Sequence, residues 1–108
     1  GTIEETRRVN ESLTIPIDPD IIDLAEGFLE NRRAVAQQAR TAVAVEDWDL
    51  LYRIGHELKG TAGSFGFRDL SAIGLDLEDA ALAHDLIQAE DAVDRMHRYV
   101  DRVTVVPL

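Results

Sequence analysis

One stretch of the chain decides the fold, and it reads WDLLYRIGHELKGTAGSFGF over residues 48–67. Apolar or small residues recur along it in alternating steps of three and four, at Trp48, Leu51, Gly55, Leu58, Ala62 and Phe65. This spacing places them on one side of an α-helix and is typical of a helix that packs in a bundle. Gly66 follows the last of them and predicts the end of the helix.

Three further helices are predicted around this one. Asp18 as an N-cap and Pro19 at the first helical position start a helix over about residues 19–43. A third helix is predicted over about residues 67–83, and a fourth starts at Leu86 and stops before Pro107. No strand-like alternation of useful length appears. The short connections predict an all-α fold, an antiparallel up-and-down four-helix bundle.

The chain of 108 residues fits one domain. We expect residues 18–108 to form the bundle, and residues 1–17 to form an N-terminal arm or a short helix. The N-terminal residues contain no apolar stretch of the kind found in signal peptides, and no run is long enough to span a bilayer. We therefore expect a cytoplasmic location, as a free protein or as the cytoplasmic part of a membrane sensor.

The net charge of −10 indicates the class of partner. Such an acidic surface repels the phosphates of nucleic acids and anionic lipids, so we expect protein partners, no nucleic acid, no direct membrane contact and a monomer. Cysteine is absent, which excludes thiolate metal sites. No paired ligands at helical spacing and no P-loop appear, so the sequence predicts neither a metal nor a cofactor.

The candidate site centres on His56, which the helical pattern turns away from the apolar seam and towards solvent. Gly60 and Gly63 follow on the same face, so the imidazole stands on a patch of helix without side chains that a partner protein can approach closely. Lys59, the single lysine of the chain, neighbours His56 and is suited to neutralising a phosphoryl group. Gly55 lies on the seam instead, where it permits close helix packing.

Two further residues complete the candidate site. Glu78 lies about as far after the bend at Gly66 as His56 lies before it. It is therefore expected to accept a hydrogen bond from one ring nitrogen of His56 and leave the other as a nucleophile. Ser64 lies further along the helix, where its hydroxyl is a candidate donor to a partner or a phosphoryl oxygen.

The sequence HELKG at residues 56–60, with the glycines and the phenylalanine that follow it, resembles the signature of histidine-containing phosphotransfer domains. The stretch at residues 77–81 is similar to the third helix of bacterial members. This resemblance implies that His56 accepts a phosphoryl group from the phospho-aspartate of a receiver domain, in a response regulator or a hybrid sensor kinase, and passes it to another receiver. The chain would then be a phosphoryl carrier in a phosphorelay, and the acidic residues and Mg²⁺ that catalyse transfer would belong to the receiver.

A second interpretation stays open. The glycine-rich end of the helix also resembles the phospho-accepting domain of chemotaxis histidine kinases, in which a neighbouring kinase domain transfers the phosphoryl group from ATP. In those domains a glutamate at the Glu78 position contacts the histidine, and a second histidine often stands where this chain has Leu75. That departure favours the phosphorelay. A bundle that binds partners without chemistry is the third alternative.

Overall fold

The computed structural model describes residues 13–108. The elements in chain order are strand β1 (Leu13–Ile17), a 3₁₀ turn (Pro19–Ile21), helices α1 (Ile22–Ala44), α2 (Trp48–Phe65), α3 (Arg68–Ala83) and α4 (Leu86–Arg102), and strand β2 (Val103–Pro107). Each helix packs against the next, and α4 closes the bundle against α1. The predicted all-α four-helix bundle is confirmed. Within the described residues, no helix combines the length and the apolar character needed to cross a membrane.

The helix ends follow local rules that the sequence already contains. Asp47 and Asp85 are the N-caps of α2 and α4, where their side chains accept hydrogen bonds from the backbone of Leu50 and Gln88 at 3.1 and 3.0 Å. Gly66 ends α2 in a left-handed conformation with φ of 87°. The amides of Gly66 and Phe67 then satisfy two of the last carbonyl groups of the helix. These caps fix the short turns that make successive helices antiparallel.

The two strands are a correction to the sequence prediction, which found no strand-like segment. β1 and β2 pair in parallel, with Leu13 opposite Val103 and Ile17 opposite Pro107. Consequently α4 ends at Arg102 and does not continue towards Pro107. In the N-terminal region, which was predicted to be an arm or a short helix, residues 13–17 form this strand, and residues 1–12 lie outside the described part of the chain.

The interior consists of two groups of buried side chains. The first cluster lies beside the strands and contains Phe28, Leu58, Phe67 and Met96 among others. The rings of Phe28 and Phe67 stack there with their centroids 5.9 Å apart. The second cluster lies at the opposite end of the bundle and is built mainly from Leu51, Ile54, Leu77, Val93 and several alanines. Helix α2 contributes to both clusters, so its outward face is held at a fixed orientation.

Helices α2 and α3 come into backbone contact at a pair of glycines. A Cβ atom added at Gly55 would lie 2.6 Å from the amide nitrogen of Glu78 and 2.7 Å from the carbonyl oxygen of Gly74. A Cβ at Gly74 would lie 2.6 Å from the amide nitrogen of Lys59. No side chain fits at either position, since even one methyl group would clash with backbone atoms. Backbone atoms cannot move aside as a side chain does by changing its rotamer. The expected close packing at Gly55 is confirmed, and Gly74 is its partner.

We therefore predict that Gly55→Ala lowers the free energy of unfolding by about 2–3 kcal/mol, because the added methyl group forces the two helices apart. Urea denaturation followed by circular dichroism measures this change. The matched control is Gly60→Ala on the same helix, where a Cβ would meet no atom within 4 Å. In that variant the free energy of unfolding should rise by about 0.5–1 kcal/mol, because alanine has the higher helix propensity. Equal effects of the two substitutions would contradict the packing argument.

Candidate functional site

His56 lies on the outward face of α2 with 61% of its side chain exposed. Its Nδ1 lies 2.9 Å from Oε2 of Glu78, which α3 presents from across the glycine contact. Glu78 itself is buried, with 9% of its surface exposed. The predicted contact between these two residues is therefore present. It joins an accessible ring to a carboxylate that is fixed in the bundle.

Lys59 contacts the same carboxylate. Its Nζ lies 3.2 Å from each of the two carboxylate oxygens of Glu78. The lysine side chain keeps 37% of its surface exposed, so the ammonium group lies at the border between the buried carboxylate and solvent. The imidazole and the ammonium group are thus held at one site by one carboxylate.

The pKa of Glu78 follows from these contacts. Burial of the carboxyl group on its own would raise the pKa, but the hydrogen bonds from His56 and Lys59 and the charges of these groups outweigh burial. The pKa of Glu78 consequently lies below its ordinary value of 4.5. The carboxylate is ionised at neutral pH and acts only as a hydrogen-bond acceptor.

An ionised acceptor at Nδ1 determines how the protons of the imidazole are distributed. Nδ1 must carry the proton that it donates to Glu78. In the neutral ring the other nitrogen, Nε2, then holds the lone pair, and it is the nucleophilic atom. The site therefore presents one defined nitrogen on an exposed ring.

The predicted glycine patch is exposed, but its two glycines differ in their surroundings. A Cβ at Gly60 would meet no atom within 4 Å, whereas one at Gly63 would lie 3.4 Å from the hydroxyl oxygen of Ser71 on α3. Gly60 is thus the more open position. Ser64 is also exposed, and its hydroxyl donates to the carbonyl oxygen of Gly60 at 3.1 Å. That hydrogen bond holds the hydroxyl on its own helix, and Ser64 lies about two turns beyond His56.

Comparison with models of protein families matches residues 23–104 to the Hpt domain. The chain belongs to the Hpt domain family. The matched region contains the whole of α2, α3 and α4, and with them His56, Lys59 and Glu78. Comparisons with curated proteins and with solved structures give no match. Hpt domains carry phosphoryl groups in two-component signalling and interact with receiver domains, so phosphotransfer is the function of the family to which this chain belongs.

Two residues of this Hpt domain were not recognised in the sequence as parts of the site. Tyr52 precedes His56 by one helical turn, and the two rings stack with centroids 5.7 Å apart and planes inclined by 14°. Their spacing of four residues was a usable signal, since residues at i and i+4 are neighbours on a helix. Gly74 is the other residue. Its contact with the backbone of α2 depends on how the two helices cross, which no local pattern contains.

The lowered pKa of Glu78 leads to a prediction about acid stability. A carboxyl group whose pKa is lower in the folded state stabilises the fold above its ordinary pKa of 4.5, and this contribution is lost as the pH falls through the folded value. Glu78→Gln should therefore be less stable than the wild type at pH 7. The difference should shrink as the pH falls below 4.5 and through the lowered pKa of Glu78.

Urea unfolding at several pH values measures this difference. Glu90→Gln is the matched control, because Glu90 is exposed on α4. A gap between wild type and Glu78→Gln that stays constant from pH 7 to pH 3 would show that the charge of Glu78 does not stabilise the fold.

Proposed function

We propose that His56 is the phosphoacceptor of a phosphorelay intermediate, which takes a phosphoryl group from the phospho-aspartate of one receiver domain and passes it to another. One observation carries the proposal. The imidazole is 61% exposed, while its Nδ1 is bound to a buried, ionised carboxylate at 2.9 Å. This arrangement leaves Nε2 as the one nucleophilic atom directed to a partner.

The proposed transfer step is balanced in bonds, charge and protons. The lone pair of Nε2 attacks phosphorus, the bond between phosphorus and the aspartate oxygen breaks, and the aspartate leaves as a carboxylate. The ring then carries the phosphoryl group on Nε2 and keeps its proton on Nδ1. Glu78 offsets the positive charge that the ring gains, without any proton having to move. Return of the phosphoryl group to a second receiver follows the same path in reverse.

Lys59 contributes a positive charge at the solvent-exposed edge of the site. Phosphoryl transfer spreads negative charge over three equatorial oxygens, and an ammonium group with three donors can meet one of them without a fixed geometry. In the free domain Lys59 contacts Glu78 at 3.2 Å. We infer that its partly exposed end also binds the incoming phosphoryl group. Gly60, Gly63 and Ser64 would form the surface on which the receiver docks.

The partners follow from the same proposal. They are receiver domains of response regulators or hybrid sensor kinases, without nucleic acid and without direct contact with a membrane. The net charge of −10 supports this choice, because such a surface repels nucleic acid and anionic lipid. We further infer that the domain acts in the cytoplasm, as a monomer and as a carrier that depends on the catalytic groups of the receiver.

The chemotaxis-type phospho-accepting domain is the second candidate. The contact of Glu78 with His56 favours it, since the resemblance to those domains implies this contact. Against it stands Leu75, which is 42% exposed on α3 where those domains often carry a second histidine. The source of the phosphoryl group distinguishes the two candidates, because one takes it from a receiver and the other from ATP through a kinase domain.

We predict that a phosphorylated receiver domain alone labels the wild-type chain with acid-labile phosphate, and that His56→Gln takes up no label while its helix content is unchanged. His84→Gln is the matched control and should be labelled like the wild type, because His84 lies in the turn after α3. Labelled His56→Gln would refute the assignment of the phosphoacceptor. Labelling only by a kinase domain with ATP would support the chemotaxis-type candidate.

We also predict that Gly60→Gln slows transfer to His56 at least tenfold, because a long side chain on the open helix face crowds the approach of the receiver. The initial rate of labelling measures the effect. Gly27→Gln is the matched control, since Gly27 lies on α1 and a Cβ there likewise meets no atom within 4 Å. Transfer to Gly60→Gln at the wild-type rate would rule out the open face as a requirement.

A further inference from the structure

The ring of His56 has a second contact, with Tyr52 on the same helix. The two ring centroids are 5.7 Å apart and the ring planes differ by 14°. Side chains on a helix lean towards its N-terminus, so the imidazole lies over the turn that carries Tyr52. The separation and the small angle are those of an offset stack between aromatic rings.

The two contacts of the imidazole restrict different motions. An imidazole N–H points in the plane of its ring, so the hydrogen bond to Glu78 at 2.9 Å fixes the position of Nδ1. By itself it permits the ring to swing about the line that joins Nδ1 to the carboxylate oxygen. A flat surface against one face opposes that swing. With both contacts in place, the direction in which Nε2 points is determined.

Tyr52 is itself well supported. Its ring is half-buried and packs against the second cluster, which includes Leu51, Ile54 and Leu77. The rest of the tyrosine faces an open groove of about 550 Å³ between the start of α2 and the end of α3. A surface that is anchored in the core can orient an exposed ring, whereas a freely rotating side chain could not.

We propose that Tyr52 is a positioning residue for phosphoryl transfer, which acts by holding the ring plane of His56 so that Nε2 faces the incoming phosphorus. This inference rests on the proposed function. Stacking covers one face of the imidazole, but the lone pair of Nε2 lies in the ring plane. The approach of the receiver therefore stays open while the ring is restrained.

The test compares Tyr52→Leu, which removes the aromatic face, with Tyr52→Phe, which keeps it. Transfer from a phosphorylated receiver is followed over a range of receiver concentrations, which separates the rate constant at saturation from the half-saturating concentration. Tyr52→Leu should lower the rate constant at saturation about five- to tenfold with little change in half-saturation. Tyr52→Phe should stay within about twofold of the wild type in both.

A spectroscopic measurement and a control variant separate positioning from general structure. The ring proton resonances of His56 should shift in Tyr52→Leu, where the ring current of the tyrosine is lost, and stay near their wild-type positions in Tyr52→Phe. Trp48→Leu is the control, because Trp48 lines the same groove but stacks on His84, with ring centroids 5.1 Å apart. It should leave the transfer rate and the resonances of His56 unchanged.

Three results would overturn the inference while transfer to wild-type His56 is normal. They are an unchanged rate constant in Tyr52→Leu, an effect on half-saturation alone, and an equal loss in Tyr52→Phe. The second result would make Tyr52 a contact for the receiver, and the third would assign the effect to its hydroxyl group. Absence of transfer to the wild type from any donor would instead overturn the proposed function.

Discussion

The backbone contact between α2 and α3 is the constraint on which the rest of the structure depends. At Gly55 the two helices are so close that a Cβ would lie 2.6 Å from the amide nitrogen of Glu78. Gly55 directly precedes His56, so this contact sets both the distance between the helices and the residue that α3 places beside the imidazole. The packing of two small residues therefore determines the geometry of the site, although neither glycine takes part in the chemistry.

The charged groups at the site fix one another's position and protonation state. A buried carboxylate without partners would be costly, and Glu78 is stabilised by Lys59 and by the ring of His56. In return the carboxylate holds the proton on Nδ1 and keeps the ammonium group close to the ring. Since the nitrogen that we propose as the nucleophile is selected by a contact made in the free domain, the proposed transfer needs no rearrangement of protons when a partner arrives.

The sequence predicted the four helices and the neighbourhood of His56 and Lys59 because these depend on local spacing, and it predicted the contact with Glu78 from the similar distances of Glu78 and His56 from the bend at Gly66. The seam of α2, the cap at Asp47 and the left-handed end at Gly66 are all fixed by residues within a few positions. The strands were missed because each has five residues, each contains a proline (Pro16 and Pro107), and the two pair across most of the length of the chain. Gly74 was not recognised as a contact for a similar reason, since helix crossing is a tertiary property. Tyr52 was overlooked although its spacing from His56 made it predictable.

The parallel pairing of β1 and β2 has a mechanical consequence. The chain enters β1 at Leu13 and leaves β2 at Pro107, and these residues lie at opposite ends of the ladder. A force that draws Leu13 and Pro107 apart therefore slides the strands past each other, and the hydrogen bonds between them carry the load together, not in succession. Tension applied between Leu13 and Pro107 would accordingly meet resistance at this ladder before it reaches the helices that hold His56 and Glu78.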